Sequence, residues 1–160
     1  MMTIRILCVG RVKEKFYEDA AAEYLKRLGA WCRTEITEVP EAKRPKNPSP
    51  AETEAALQRE AALLEEKIPK GATVIALCVE GEQPDSEGVA AMLEKYASSG
   101  VSKICFVIGG SDGLHSQFKA RADRRISMSR MTFPHHLARV MLLEQLYRGF
   151  QINEGGKYHK

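Results

Sequence analysis

Two hydrophobic rhythms alternate along this chain. Ile4 to Val9 is a short apolar run that stops at Gly10, which predicts a first strand. From Lys13 to Leu28, Phe16, Ala20, Tyr24 and Leu28 recur at helical spacing, and Gly29 marks the end of that helix. Arg33 to Val39 mixes Ile36 and Val39 with Thr and Glu, as an exposed or edge strand does. Residues 40–50 hold four prolines and three basic residues, the composition of a mobile loop. Residues 51–67 predict a charged amphipathic helix with Ala55, Leu57, Ala61, Leu64 and Ile68 as its apolar positions. Thr73 to Val79 and Lys103 to Ile108 are nearly continuous apolar runs, each followed by glycine. That pattern suits strands buried on both faces of a parallel sheet. Between them, Ser86 is placed to cap a helix through Tyr96 that closes near Gly100.

Beyond the second buried run, a short helix is expected around Ser116 to Ala122. Ile126 to Phe133 is too short and too interrupted to assign. The last helix spans about His135 to Gln151, and 153–160 has no periodicity. Strand and helix thus alternate, predicting one α/β domain over 1–160 with helices on both faces of the sheet. Ligands of such sheets bind at the carboxyl ends of the strands.

Composition narrows the class. At 160 residues, 44% hydrophobic and 28% charged, the chain has the make-up of a single globular domain with its own core. No apolar run reaches the roughly 20 residues of a membrane span, and the start lacks a signal-peptide pattern, which points to the cytoplasm. The four cysteines form no CxxC pair and have no histidine at ligand spacing, so no metal is expected. The formal charge is +3, unevenly spread. Residues 101–160 carry ten Lys and Arg against four acids, a net +6 that leaves −3 for the first hundred. A basic C-terminal part fits either a solvated face or an anionic partner such as RNA.

Three segments offer chemistry. Ile108-Gly109-Gly110-Ser111-Asp112-Gly113 puts three glycines in five residues after a buried strand, which suits a tight turn or a ligand packed on bare backbone. It is neither GxGxxG nor a Walker loop, so a nicotinamide or flavin enzyme is poorly supported. Met128 to Phe133 mixes apolar side chains and hydroxyls before Pro134, and could line an adenine pocket or be a plain loop. The last helix is apolar nearly all round yet carries Arg139, Glu144 and Arg148, with His135 and His136 in its first turn.

Taken together, the Val107-Ile108-Gly109-Gly110-Ser111-Asp112-Gly113-Leu114 turn, Thr132-Phe133-Pro134-His135, Arg139-Val140, Glu144-Gln145-Leu146-Tyr147-Arg148 and the ending Tyr158-His159-Lys160 resemble the bacterial ribosomal RNA large subunit methyltransferase H family. These are small SPOUT methyltransferases. The resemblance runs the whole chain, from Ile6-Leu7-Cys8-Val9-Gly10 onward. It implies a parallel-sheet fold with a C-terminal trefoil knot, an obligate homodimer, and methyl transfer from S-adenosyl-L-methionine to N3 of a pseudouridine in a hairpin loop of 23S ribosomal RNA. By motif match it implies a cofactor pocket of Leu77, Gly109, Met128, Ser129, Arg130, Met131, Thr132 and Phe133. It also suggests a catalytic group drawn from His135, Arg139, Tyr158 and His159: His135 or His159 to take the N3 proton, Arg139 or Arg148 for phosphate or the developing anion, and Tyr158 for the extruded base. The small net charge and the lack of a separate RNA-binding domain point to the assembled ribosome as substrate. A non-catalytic RNA- or ribosome-binding α/β module is the alternative, separated by whether the chain binds S-adenosylmethionine.

Overall fold

The computed structural model describes residues 1–160. Five strands form one all-parallel sheet: β1 (Met2–Val9), β2 (Cys32–Val39), β3 (Thr73–Glu82), β4 (Lys103–Ile108) and β5 (Arg124–Ile126), in the spatial order β2-β1-β4-β3-β5. The connecting helices are α1 (Lys15–Leu28), α2 (Pro50–Lys67), α3 (Ser86–Ser98), α4 (Ser116–Arg121) and α5 (His135–Asn153).

The two-residue period of the strands sorts the core into two layers. Ile4, Ile6, Cys8, Ile75, Ile104, Phe106 and Ile108 face α1, α3 and α5. Leu7, Val9, Val74, Ala76, Cys105 and Val107 face the other way, against Leu64 of α2 and Phe118 of α4. The expectation of helices on both faces therefore holds, three on one side and two on the other. β2 is an edge strand, in keeping with its alternating pattern.

Several local expectations shift. In α1 the inward residues are Ala21 and Leu28, with Tyr24 and Leu25 packed beside them, whereas Phe16 is 66% exposed: the apolar stripe starts one position later than the spacing suggested. β3 runs past Gly81 to Glu82, because the Glu82 carbonyl accepts from Ser127 N at 2.6 Å and prolongs the pairing with β5. The N-cap of α3 is Asp85, not Ser86: its carboxylate accepts from Gly88 N at 2.7 Å. In α2 the buried positions are Ala56, Glu60 and Leu64, so the polar face of the expected stripe hides a carboxylate. Ser49 and Glu52 form a reciprocal capping box at its start. Segment 40–49 is not free, because Glu60 accepts from Ala42 N and from Arg44, both at 2.9 Å.

α5 lies between α1 and α3, over β4. Its all-round apolar character is largely met within the chain, with Leu142, Leu143 and Leu146 fully enclosed. No helix is long and apolar enough to cross a membrane.

Candidate active site

The carboxyl ends of β3, β4 and β5 open into a cleft of about 770 Å³. Leu77 lies in its floor, the glycine turn after β4 forms one wall, and the segment between β5 and α5 forms the other. Strand ends are where an α/β sheet leaves backbone groups without ladder partners, so this edge is chemically open.

The turn is compact. Gly113 N donates to Gly110 O at 3.0 Å, with Gly113 at φ +76°. Gly109 sits so close to Gly113 that a Cβ there would run into the Gly113 backbone carbonyl. Its lack of a side chain thus first serves the closure of the turn itself, and through that the bare wall of the cleft.

In the opposite wall, Ser127 Oγ donates to Ser129 O at 2.9 Å, and Met131 N donates to Ser129 Oγ at 3.0 Å. The backbone amides of Met128, Ser129, Arg130, Thr132 and Phe133 donate to no acceptor in the chain. A loop that holds its own shape while leaving five donors free is equipped to hydrogen-bond a flat polar ligand. Phe133 is half-buried and Met131 is 69% exposed, so both offer apolar contact.

Seven of the eight residues expected to receive a cofactor line this cleft: Leu77, Gly109, Met128, Ser129, Met131, Thr132 and Phe133. Arg130 belongs to the same segment but is exposed and does not line it. The sequence reading missed Lys119, which borders the cleft and pairs with Glu80 at 2.5 Å. Lys119 holds the Glu80 carboxyl below its ordinary range. Nothing in the spacing of these two residues foretold their meeting.

The four expected catalytic residues separate. His135, the first residue of α5, lines the cleft. Its ring packs on that of His136 at 4.1 Å between centroids. Burial, aided by the nearby His135 and Arg139, pushes the His136 imidazole down. Arg139 does not reach the cleft. Its side chain is 5% exposed and donates to Glu38 Oε2 at 2.7 Å, with the Gly10 carbonyl at 3.5 Å. Burial alone would raise the Glu38 carboxyl, but Arg139 and the Val12 amide together hold it below the usual range.

Tyr158 and His159 fold back onto α5 of their own chain, away from their own cleft. Tyr158 donates to Glu144 Oε2 at 3.0 Å and lies under the Arg148 guanidinium, 4.7 Å from its ring centre. Arg148 donates to Glu144 at 2.7 Å and meets His159 Nδ1 at 3.0 Å. Burial, then hydrogen bonding to Tyr24 and Glu144, pushes the Tyr158 phenol up to about 12. The tail is thus an ordered layer despite its lack of regular structure.

A parallel sheet with a glycine-walled cleft and free amides at its strand ends defines an α/β protein whose strand-end edge is open where such sheets take ligands. The sequence profile described as "Predicted SPOUT methyltransferase" matches residues 2–159. Ribosomal RNA large subunit methyltransferase H of Bacillus thuringiensis (strain Al Hakam) is 46% identical over 159 residues, covering 99% of this chain and 100% of the relative. The protein of the same name from Bacillus anthracis matches to the same extent. Among solved structures, a probable methyltransferase from Bordetella pertussis Tohama I superposes with a TM-score of 0.60 at 16% identity, over 92% of this chain and 94% of that one. A probable methylase family protein from Haemophilus influenzae Rd KW20 gives 0.56 at 15% identity, over 98% and 70%. At such identities these two likenesses speak for the fold alone. The chain belongs to the SPOUT methyltransferase family, in its ribosomal RNA large subunit methyltransferase H branch.

Proposed function

We propose that this protein methylates N3 of a pseudouridine in 23S ribosomal RNA, using S-adenosyl-L-methionine, as a cytoplasmic homodimer acting on the assembled ribosome. The observation that carries the reading is the cleft: bare glycine backbone on one side, the four unclaimed amides of Met128, Ser129, Thr132 and Phe133 on the other, and a volume in the usual range for such ligands. The relatives' name supports ribosomal RNA as the substrate. The trefoil knot and the dimer belong to the same proposal.

S-adenosylmethionine supplies an electrophilic methyl group on a sulfonium sulfur. The protein's part is placement. The free amides of Met128, Ser129, Thr132 and Phe133 orient the ligand's polar edge, Leu77, Met131 and Phe133 enclose its apolar surface, and fixed alignment provides much of the rate in an in-line displacement. As the N3–C bond forms and the C–S bond breaks, the N3 proton must leave. His135 stands at the cleft to accept it. Tyr158 and His159 miss the cleft of their own chain and serve that of the partner, with Tyr158 on the extruded base and His159 as the second candidate base. Half-buried Leu137, Val140 and Met141 on α5 supply apolar surface for the second copy. Arg139 acts by fixing the start of α5, and so His135, against β1 and β2, rather than by touching RNA.

The deciding experiment is methyl transfer from labelled S-adenosylmethionine to free ribosomal RNA, separated subunits and assembled ribosomes, with sedimentation to show twice 17.9 kDa. Label at pseudouridine N3 in ribosomes is the expected result. Saturable RNA binding without cofactor binding would leave the non-catalytic module. Efficient methylation of a short naked hairpin would remove the assembled ribosome as the required substrate.

A further inference from the structure

The segment that joins β2 to α2 contacts the glycine turn at successive residues. Arg44 is its centre. Its side chain is 13% exposed, and Glu60 beneath it is 3% exposed. Glu60 Oε2 accepts from Arg44 Nη1 and from Ala42 N, both at 2.9 Å, and Arg44 Nη1 also donates to the Ala42 carbonyl at 2.7 Å. These bonds fix the guanidinium from below. Its Nε lies 2.8 Å from Asp112 Oδ2 of the turn, an ion pair held by charge and proximity and not by an aligned hydrogen bond. Beside it, Ser111 Oγ donates to Glu41 Oε1 at 3.2 Å. Next along, His115 Nδ1 accepts from Gln117 N at 3.1 Å, which leaves Nε2–H to donate to Glu54 of α2 at 2.6 Å.

The chemistry of the turn explains why outside support matters. Gly109, Gly110 and Gly113 have no side chains to pack, and the turn closes on the Gly113-to-Gly110 hydrogen bond. Glycine backbone is the most costly to order. A wall of bare backbone can receive a ligand closely only if something else fixes its shape. Ser111 and Asp112, the two residues between the glycines, carry the side chains that are tied down.

We infer that Arg44, oriented by Glu60, is a positioning residue that holds the Gly110–Gly113 turn in its cofactor-receiving shape through Asp112. This rests on the proposed use of S-adenosylmethionine and assigns a role to the proline-rich segment. Asp112 lines the cleft as part of the turn and Arg44 stands behind it, so the effect of the pairing falls on cofactor binding and not on the chemical step.

The test compares Arg44→Met, Asp112→Asn and the double variant. Asp112→Asn is the milder change, because Asp112 is 40% exposed and the Arg44–Glu60 pair survives it. Each single variant is expected to bind S-adenosylmethionine about tenfold more weakly by calorimetry. KM for the cofactor should rise while kcat at saturation stays within about twofold, the separation that marks lost ground-state binding. Amide exchange at 110–114 in the ligand-free protein should quicken in both. The double variant should be no weaker than Arg44→Met, since the two residues act through one contact. Unchanged affinity and exchange in Asp112→Asn would overturn the inference, as would additive losses, which would mean that Asp112 meets the cofactor by itself. If the wild-type chain fails to bind S-adenosylmethionine, the proposed function fails, and the exchange of 110–114 still decides whether Arg44 holds the turn.

Discussion

Replacing Arg139 by methionine separates a structural role from a direct catalytic one. The guanidinium is 5% exposed and 2.7 Å from Glu38, which is itself 35% exposed. Breaking a fully buried ion pair from one side costs about 3–5 kcal/mol, because a charge is left without its partner. Glu38 keeps water on one side and a hydrogen bond from Val12 N at 3.1 Å, so part of that penalty is relieved. A loss of roughly 2–4 kcal/mol is expected, equivalent to about 4–16 °C in Tm for a chain of this size. The double variant Glu38→Gln/Arg139→Met should recover part of the loss, because no uncompensated carboxylate remains. Scanning calorimetry reads the stability, and methyl transfer is measured well below the lowered Tm. If Arg139 acts only by fixing the start of α5, any loss of methyl transfer in Arg139→Met accompanies the lowered Tm, and the double variant recovers part of both. A variant with wild-type Tm and no methyl transfer would refute this reasoning and put the guanidinium on the substrate.

Three further outcomes follow from the geometry. Gly109→Ala drives a Cβ into the Gly113 backbone, so it should destabilise the fold by about 1–3 kcal/mol as overpacking does, seen as a lowered Tm, as well as weaken cofactor binding; a native Tm with lost binding would show that Gly109 faces the ligand instead. Removal of residues 157–160 should leave cofactor affinity nearly intact and abolish methyl transfer, while His159→Ala should cost roughly 10²–10⁴ in rate if it is the proton acceptor; full activity of the truncated chain would leave His135 as the base. The folded protein holds the His136 imidazole and the Glu38 carboxyl below their ordinary values, so the unfolded chain binds more protons in acid. On the acid side, stability should therefore fall first below about pH 6.5 as His136 is forced to protonate and again below about pH 4.3 as Glu38 does. His136→Asn should flatten the first part of a Tm-against-pH curve and Glu38→Gln the second, and a curve unchanged in both variants would refute the assignment.

Much of this molecule was legible in one dimension. Buried parallel strands announce themselves as unbroken apolar runs, because both faces are covered, and β3 and β4 were located that way. The glycine turn and the 128–133 segment were visible because unusual backbone needs unusual composition. Seven of the eight expected cofactor residues meet at one cleft because the parallel fold brings successive strand ends to a single edge. Periodicity alone could not show which charges would be buried. Glu60 reads as one more acid on a solvated helix, and only the approach of Arg44, sixteen residues earlier, makes its burial tolerable. Arg139 looked placed for an anion, and it is, but the anion is Glu38, 101 positions away. The tail looked free because glycines precede it, yet Glu144 and Arg148 hold it in place. Helix and strand arise from neighbours along the chain, so spacing reveals them. The partner of a buried charge is set by which elements the sheet order brings together, and that was decided only in three dimensions.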